Sequence, residues 1–301
     1  MARRILIALA AFGAATAALA ETKFYDGFNA PAGTTLEGYN GYVITSQPIL
    51  VSGDSKVAEI RGPGLAAPGE PSVGNAAYLD YWTRSGAKVW YTANKDISDF
   101  GATDGSGVNT FYVSALFRST QFPVDAGAWL KVGIPIDFAS GADRYFSIGI
   151  KQEDRLGVLQ PQVFAEGLGS TYGDWYLADY TPGTTVQVVA RFSFQKMALT
   201  DQYRFEVRAV ANPLPGAEPD WSAQPLITGE SNKVGTYAVP SVNLSLARGG
   251  SSRGAGGLID EVRIGTTYGD VVPEVPEPET WGLLAAGLGI LGAISRRYRR
   301  V

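Results

Sequence analysis

The chain has no cysteine and no histidine in 301 residues, and two methionines. Without cysteine there is no disulfide, no thiolate nucleophile and no sulfur ligand for a soft metal. Without histidine there is no Ser-His-Asp triad, no imidazole zinc site and no side chain that ordinarily titrates near neutral pH. Positive charge is scarce as well, with Lys and Arg together 25 against 29 Asp and Glu. Arg3, Arg4, Arg296, Arg297, Arg299 and Arg300 lie at the two ends, as do Glu274, Glu277 and Glu279, so the stretch between carries 19 positive and 26 negative charges. A nucleic-acid partner demands clustered Lys and Arg and is excluded by that balance. Weak cation binding is compatible with it.

Long apolar runs occur only at the ends. Arg3 and Arg4 precede the alanine-rich run from Ile5 to Leu19, and Ala18-Leu19-Ala20 has the A-x-A form of a leader cleavage site before Glu21. The residues around the two arginines do not match a twin-arginine motif, so the Sec route is expected. At the other end stand Pro276-Glu277-Pro278, an apolar run from Trp281 to Ile294, and Arg296-Arg297-Tyr298-Arg299-Arg300-Val301. The run makes about 21 Å of helix at 1.5 Å per residue, whereas a stable span of a hydrocarbon core about 30 Å thick wants about 20 residues. Gly282, Gly287, Gly289 and Gly292 weaken that helix further. A transient transmembrane anchor is expected, its arginines held in the cytoplasm by the positive-inside rule.

This tail resembles the PEP-CTERM sorting signal of Gram-negative bacteria. The resemblance makes Pro276, Glu277 and Pro278 the sorting motif and Arg296, Arg297, Arg299 and Arg300 the cytoplasmic stop. It implies an exosortase-type membrane enzyme as partner, the inner membrane as a station in transit, and the cell surface or an exopolysaccharide matrix as destination. The expected domains are a signal peptide at 1–20, a body at 21–272 and the sorting signal at 273–301.

The body reads as strands. Val186, Val188, Ala190, Phe192 and Phe194 alternate with Gln187, Arg191, Ser193 and Gln195. Tyr203, Phe205, Val207 and Ala209 alternate with Arg204, Glu206 and Arg208, and Phe111, Val113, Ala115 and Phe117 with Tyr112, Ser114 and Arg118. A period of two means a strand with one buried face. Further strands are expected near 42–51, 78–82, 88–92, 128–138, 145–151, 158–164, 242–247 and 258–265, with Gly and Pro clusters between them. No 3.6-residue period appears outside the ends. The pattern predicts an all-β, two-sheet sandwich forming a single domain.

Phe24-Tyr25-Asp26-Gly27-Phe28, Pro31 to Leu36, Tyr112 to Arg118, Asn212-Pro213 with Glu218-Pro219, and above all Gly257-Leu258-Ile259-Asp260-Glu261-Val262-Arg263-Ile264-Gly265 are similar to segments of bacterial LamG-like domains. That family implies the antiparallel jelly roll of the concanavalin A type, with first and last strands side by side, which would make Asp26 and Asp260 neighbours. It also implies a structural calcium near the chain ends, with Asp260 as the carboxylate ligand and Asp26 and nearby carbonyls beside it. Oxygen ligands suit such a hard cation. A solvated carboxylate, or one paired with Arg263, is the simpler use of Asp260.

Relatives on this fold include lectins, laminarinases and passive adhesion modules, and fold does not fix function. The E-x-D-x-(x)-E strand of jelly-roll glucanases, which puts nucleophile and acid about 5.5 Å apart, is absent. The expected role is therefore non-catalytic binding or structure, with a divergent glycan hydrolase or lyase as the alternative. Aromatic rings beside carboxylates suit sugars: Asp174, Trp175 and Tyr176 form one such group, and Tyr81 with Trp82 a second. The same aromatics are ordinary strand and core residues.

Overall fold

A computed structural model describes residues 22–46, 55–67, 74–82, 89–97, 110–121, 127–138, 144–168, 173–196, 202–234, 237–248 and 254–272. The leader, Pro276-Glu277-Pro278, the apolar run and the four tail arginines lie outside the described residues.

Strands follow one another almost without interruption: β1 (Thr22–Asp26), β2 (Val43–Ser46), β3 (Ser55–Arg61), β4 (Ala76–Trp82), β5 (Val89–Asp96), β6 (Thr110–Gln121), β7 (Trp129–Phe138) and β8 (Arg144–Arg155). They continue with β9 (Val158–Leu168), β10 (Gly173–Asp179), β11 (Val186–Lys196), β12 (Gln202–Ala211), β13 (Leu226–Val234), β14 (Tyr237–Ala238), β15 (Ser241–Arg248) and β16 (Gly254–Gly265). One helical turn, α1 (Tyr268–Val271), closes the described chain. The first sheet runs β13-β12-β11-β6-β16-β4-β3, with β1 also paired to β16; the second runs β10-β9-β8-β7-β15-β5-β2, with β14 on β7. Every pairing is antiparallel. This is the expected jelly-roll sandwich, and the expected neighbours meet: Phe24 lies opposite Ile264.

The alternation works as read. Val188, Ala190 and Phe192 of β11, Phe205 and Val207 of β12, and Phe111 and Val113 of β6 turn inward against Val132, Ile134, Phe146, Ile148 and Leu244 of the second sheet. Phe192 is stacked on Phe111 at 4.3 Å between ring centres and takes the edge of Phe146 from the opposite sheet at 4.9 Å. Such pairs add about 0.5–1.5 kcal/mol each beyond the area they bury.

Four strands escaped the sequence reading: β3, β10, β13 and β14. The β10 segment looked like a glycine-flanked loop, and β13 carries Gly229, Glu230, Ser231 and Asn232 without alternation. Both sit next to strands already formed, β9 and β12, whose free edges template them. The β8–β9 turn also passed unread. Leu156 and Gly157 form a two-residue hairpin with both φ angles positive, +58° and +82°. That geometry asks for Asn-Gly, and a leucine gives no signal of it.

Candidate functional site

The two sheets turn very different faces outward. The outer face of the first sheet is covered by the chain itself. Leu65 and Ala67, in the segment after β3, pack on Ala76, Tyr78, Leu116 and Leu258. Trp221 and α1 pack on Tyr112 and Val189. Apolar side chains therefore fill both faces of β6, whose outward positions include buried Tyr112, Ser114 and Leu116.

The outer face of the second sheet carries polar side chains. In β7, β8 and β9 the inward positions are Leu130, Val132, Ile148, Ile150, Val163 and Ala165. The outward ones include Trp129, Lys131, Tyr145, Ser147, Lys151, Gln162, Phe164 and Glu166, brought together by the register Lys131–Gly149–Phe164, Ser147–Glu166 and Lys151–Gln162. The Lys131 ammonium donates to Glu166 Oε2 at 2.9 Å, and the Ser147 hydroxyl donates to the same oxygen at 3.0 Å. Lys131 also lies 4.3 Å from the Trp129 ring centre and 5.4 Å from that of Tyr145. Burial, above all, pushes the Tyr145 phenol up to about 12, while hydrogen bonds from Asn243 and Ser245 pull the other way. At physiological pH it is a neutral hydroxyl, able to donate or accept.

A second group lies further along the same strands. Lys151 pairs with Glu153 at 2.5 Å, and Gln162 Nε2 donates to the same Glu153 oxygen. Gln162 is 2% exposed, and its carbonyl oxygen has no hydrogen-bond partner among the described residues. A buried amide oxygen left unsatisfied costs about 1–3 kcal/mol. Gly149 keeps the floor flat, since a Cβ there would meet Leu130 O at 2.1 Å and Lys131 Cα at 2.8 Å.

The two glutamates do not form a hydrolytic pair. Glu166 is opposite Ser147 and Glu153 opposite Gln160. Six steps along β8 from Ser147 to Glu153 put them about 20 Å apart along the strand, well beyond the roughly 5–10 Å of glycosidase carboxylates.

The expected sugar contacts separate. Trp175 lies opposite Ala165 and packs against the core, because an inward register position leaves its ring nowhere else to go. Tyr176 takes the outward register opposite Phe164 and is 41% exposed. Asp174 takes the register position opposite Glu166. Tyr81 and Trp82 belong to β4, opposite Ala255 and Gly254 in the first sheet. The two aromatic groups are therefore on different sheets and do not make one site.

The two aspartates of the expected calcium site also part company. Asp26 shares the inward register of Val262 and reaches the second sheet: its oxygens accept from Phe28 N–H at 3.0 Å and Asn40 Nδ2 at 3.1 Å, with Lys95 Nζ at 3.7 Å. Asp260 shares the outward register of Leu116, because a bulge between Asp260 and Arg263, with Glu261 at φ +50°, turns the strand there. Asp260 is fully buried and accepts from Leu65 N–H at 2.7 Å and Glu261 N–H at 2.8 Å. Arg263, its expected alternative partner, pairs with Glu261. Burial pushes the Asp260 carboxyl up to about 8, against the pull of the two N–H groups. A hard cation wants six to eight oxygens. These carboxylates are met by N–H donors on opposite faces, and no group of three acidic residues suited to a metal occurs among the described residues. The pair, turned to opposite faces and met by N–H donors, does not by itself supply that oxygen set.

The sequence of the tail matches a family model over residues 274–300. That stretch is a PEP-CTERM protein-sorting motif. The motif implies an exported chain that is recognised by an exosortase and passes through a membrane-anchored stage. Among the described residues no helix is long and apolar enough to cross a membrane. No curated protein matches the chain. Among solved structures, the chain is similar to an alginate lyase in complex with an alginate trisaccharide, at 12% identity and TM-score 0.41, covering 74% of this chain and 97% of that one. It is also similar to a pseudo β-1,3-glucanase of Mycobacterium tuberculosis, at 11% identity and TM-score 0.42, covering 81% and 98%. Peanut lectin follows at 8% identity and TM-score 0.35, covering 74% and 97%.

Sequence reasoning missed Lys131, Ser147, Lys151, Gln162 and Glu166. Each reads as an ordinary outward position of an alternating strand. The usable signal was the choice of residue: Trp129-x-Lys131 and Gln160-x-Gln162-x-Phe164-x-Glu166 fill outward positions of central strands with large, hydrogen-bonding side chains.

Proposed function

We propose that this PEP-CTERM protein is a non-catalytic glycan-binding module of the cell surface or extracellular matrix of a Gram-negative bacterium, sorted there by an exosortase and associated with exopolysaccharide through the outer face of its second sheet. The carrying observation is Gln162, an amide acceptor buried beside two lysine–carboxylate pairs, with the aromatic rings of Trp129 and exposed Tyr176 on the same face. Alternating donors and acceptors suit sugar hydroxyls, and rings suit the apolar faces of pyranoses. The test is a glycan array read with wild type, Gln162→Ala and Lys131→Met. Wild type should bind a defined set of polysaccharides and both variants should lose at least about tenfold in affinity, which is 1.4 kcal/mol. Binding unchanged in both variants would remove the face from the proposal.

The alternative, a divergent glycan hydrolase or lyase, is favoured by one register pair, Asp174 opposite Glu166. The register sets the two residues directly opposite one another on neighbouring strands. Incubation with the polysaccharides that bind, followed by assays for reducing ends and unsaturated products, separates the readings. Release of either product, lost in Glu166→Gln, would establish the enzyme.

A further inference from the structure

The tail leaves the body from the covered side of the sandwich, and it leaves from a fixed point. The Asp270 carboxylate accepts the N–H groups of Thr266 and Thr267 at 2.7 and 2.6 Å, closing a capping box with Thr267. The Ser114 hydroxyl, on the outer face of β6, donates to Val271 O at 2.8 Å. Val271 and Val272 are buried against Tyr112, Val189 and Trp221. The Tyr268 hydroxyl donates to Leu214 O at 3.2 Å, tying α1 to the loop after β12. The exit at Val272 is therefore on the outer face of the first sheet, across the sandwich from Lys131, Gln162 and Glu166.

Eight residues, Pro273 to Thr280, separate Val272 from the apolar run that begins at Trp281. Fully extended they reach about 28 Å. A folded body of about 250 residues has a radius of gyration of about 18 Å, so the tether is shorter than the body is wide. A body held this closely cannot tumble freely over a bilayer. The loop tied to the exit also presents an apolar tip: Leu214 is 75% exposed between Pro213 and Pro215. Charges around that tip oppose one another, with Arg208 on the carbonyls of Ser222 and Gln224, Glu218 engaged by Tyr112 and Trp221, and Asp220 turned onto Ser222. One positive group against two negative ones leaves a small negative excess, and each is held by hydrogen bonds within the body, so Leu214 is the apolar point of the patch that can meet lipid headgroups.

We propose that, while the tail is in place, the surface around Leu214 and α1 rests on the lipid headgroups, so that the polar face of the second sheet points away from the membrane. The inference rests on the membrane-anchored stage that the sorting motif implies, and it is independent of what the polar face binds. It gives the anchored form an orientation in which that face points away from the bilayer before the tail is processed.

The absence of cysteine makes the test clean. Single variants Leu214→Cys, Ala217→Cys and Gln160→Cys of the full chain are labelled with a fluorophore and reconstituted in phosphatidylethanolamine–phosphatidylglycerol vesicles carrying a headgroup-attached quencher. Ala217 shares the Leu214 loop and is exposed, and Gln160 is exposed on the outer face of the second sheet. Labels at 214 and 217 should be quenched several-fold more than the label at 160. A flexible insertion of about 20 Gly and Ser residues after Val272, which adds about 25 Å of mean reach, should bring the three together. Equal quenching without the insertion, stronger quenching at 160, or a chain that does not float with the vesicles each overturns the proposal. Quenching reads orientation and glycan arrays read binding, so the two proposals fail separately.

Discussion

The outward faces of the two sheets are built from the same kind of alternating strand, yet one is filled with apolar side chains and the other with buried polar ones. On the first sheet the outward positions of β6 and β16 are Tyr112, Leu116 and Leu258, and two segments of the chain fold back to cover them. On the second, β7, β8 and β9 place Lys131, Ser147, Lys151, Gln162 and Glu166 in the equivalent positions, and ion pairs form among them. Paired buried charges add little net stability, because desolvation offsets their attraction. The first face is thus organised for stability and for holding the end of the chain. The second holds polar groups buried and paired with one another.

The largest effect should come from breaking the apolar face. Leu116→Asp puts a carboxyl directly opposite Asp260 in a buried register. It removes an apolar side chain and adds an unpaired charge, a loss of about 5 kcal/mol or more. Thr92→Asp, at an outward position of the polar face opposite Ser245, should cost about 1 kcal/mol or less. Chemical denaturation of both variants checks the contrast, and similar losses would erase the distinction between the faces.

Asp260 gives the next effect, and its sign is fixed. Its carboxyl keeps a proton up to about pH 8 in the folded chain but releases it near 3.9 when unfolded. Its stabilising contribution is complete below about pH 4 and is lost as pH rises to 8, by a few kcal/mol in all. Melting temperatures across that range should show wild type losing ground against Asp260→Asn, with no further change above pH 8. Parallel curves would show that the carboxyl is ionised throughout.

On the polar face, replacing both partners of a pair should separate function from stability. Lys131→Met with Glu166→Gln should change folding free energy by about 1 kcal/mol or less, while glycan affinity falls at least about tenfold. Loss of folding in the double variant would make the pair a structural element. At the hairpin between β8 and β9, Leu156→Asn should raise stability by about 0.5 kcal/mol by suiting a positive φ; a lower denaturation midpoint would contradict that. Smallest of all, calcium in place of EDTA should leave the melting temperature unchanged, since N–H donors already occupy the oxygens of Asp26 and Asp260. An increase with calcium, lost in Asp260→Ala, would restore the metal site.

Strand alternation made the sandwich legible because period two is a local property: the run from Val186 to Gln195 shows which side is buried without reference to any partner. The motif of the tail was legible for the same reason, since its three parts follow one another along the chain. Strands β10 and β13 were not, because a neighbour's edge rather than their own pattern makes them strands. Nor was the fate of Trp175, whose inward register follows from its pairing with Ala165.

The sequence by itself determined that this chain carries a sorting tail, which implies export, and that its body is β throughout, from signals that are contiguous along the chain. Only the tertiary structure decided which outward positions meet. Lys131, Ser147 and Glu166 belong to three strands, and sheet order alone brings them within hydrogen-bonding distance. The same order sent Asp26 and Asp260 to opposite faces, though the strands that carry them are neighbours, because one extra residue at Glu261 shifts the register and a side-chain period of two turns any such shift into a change of face.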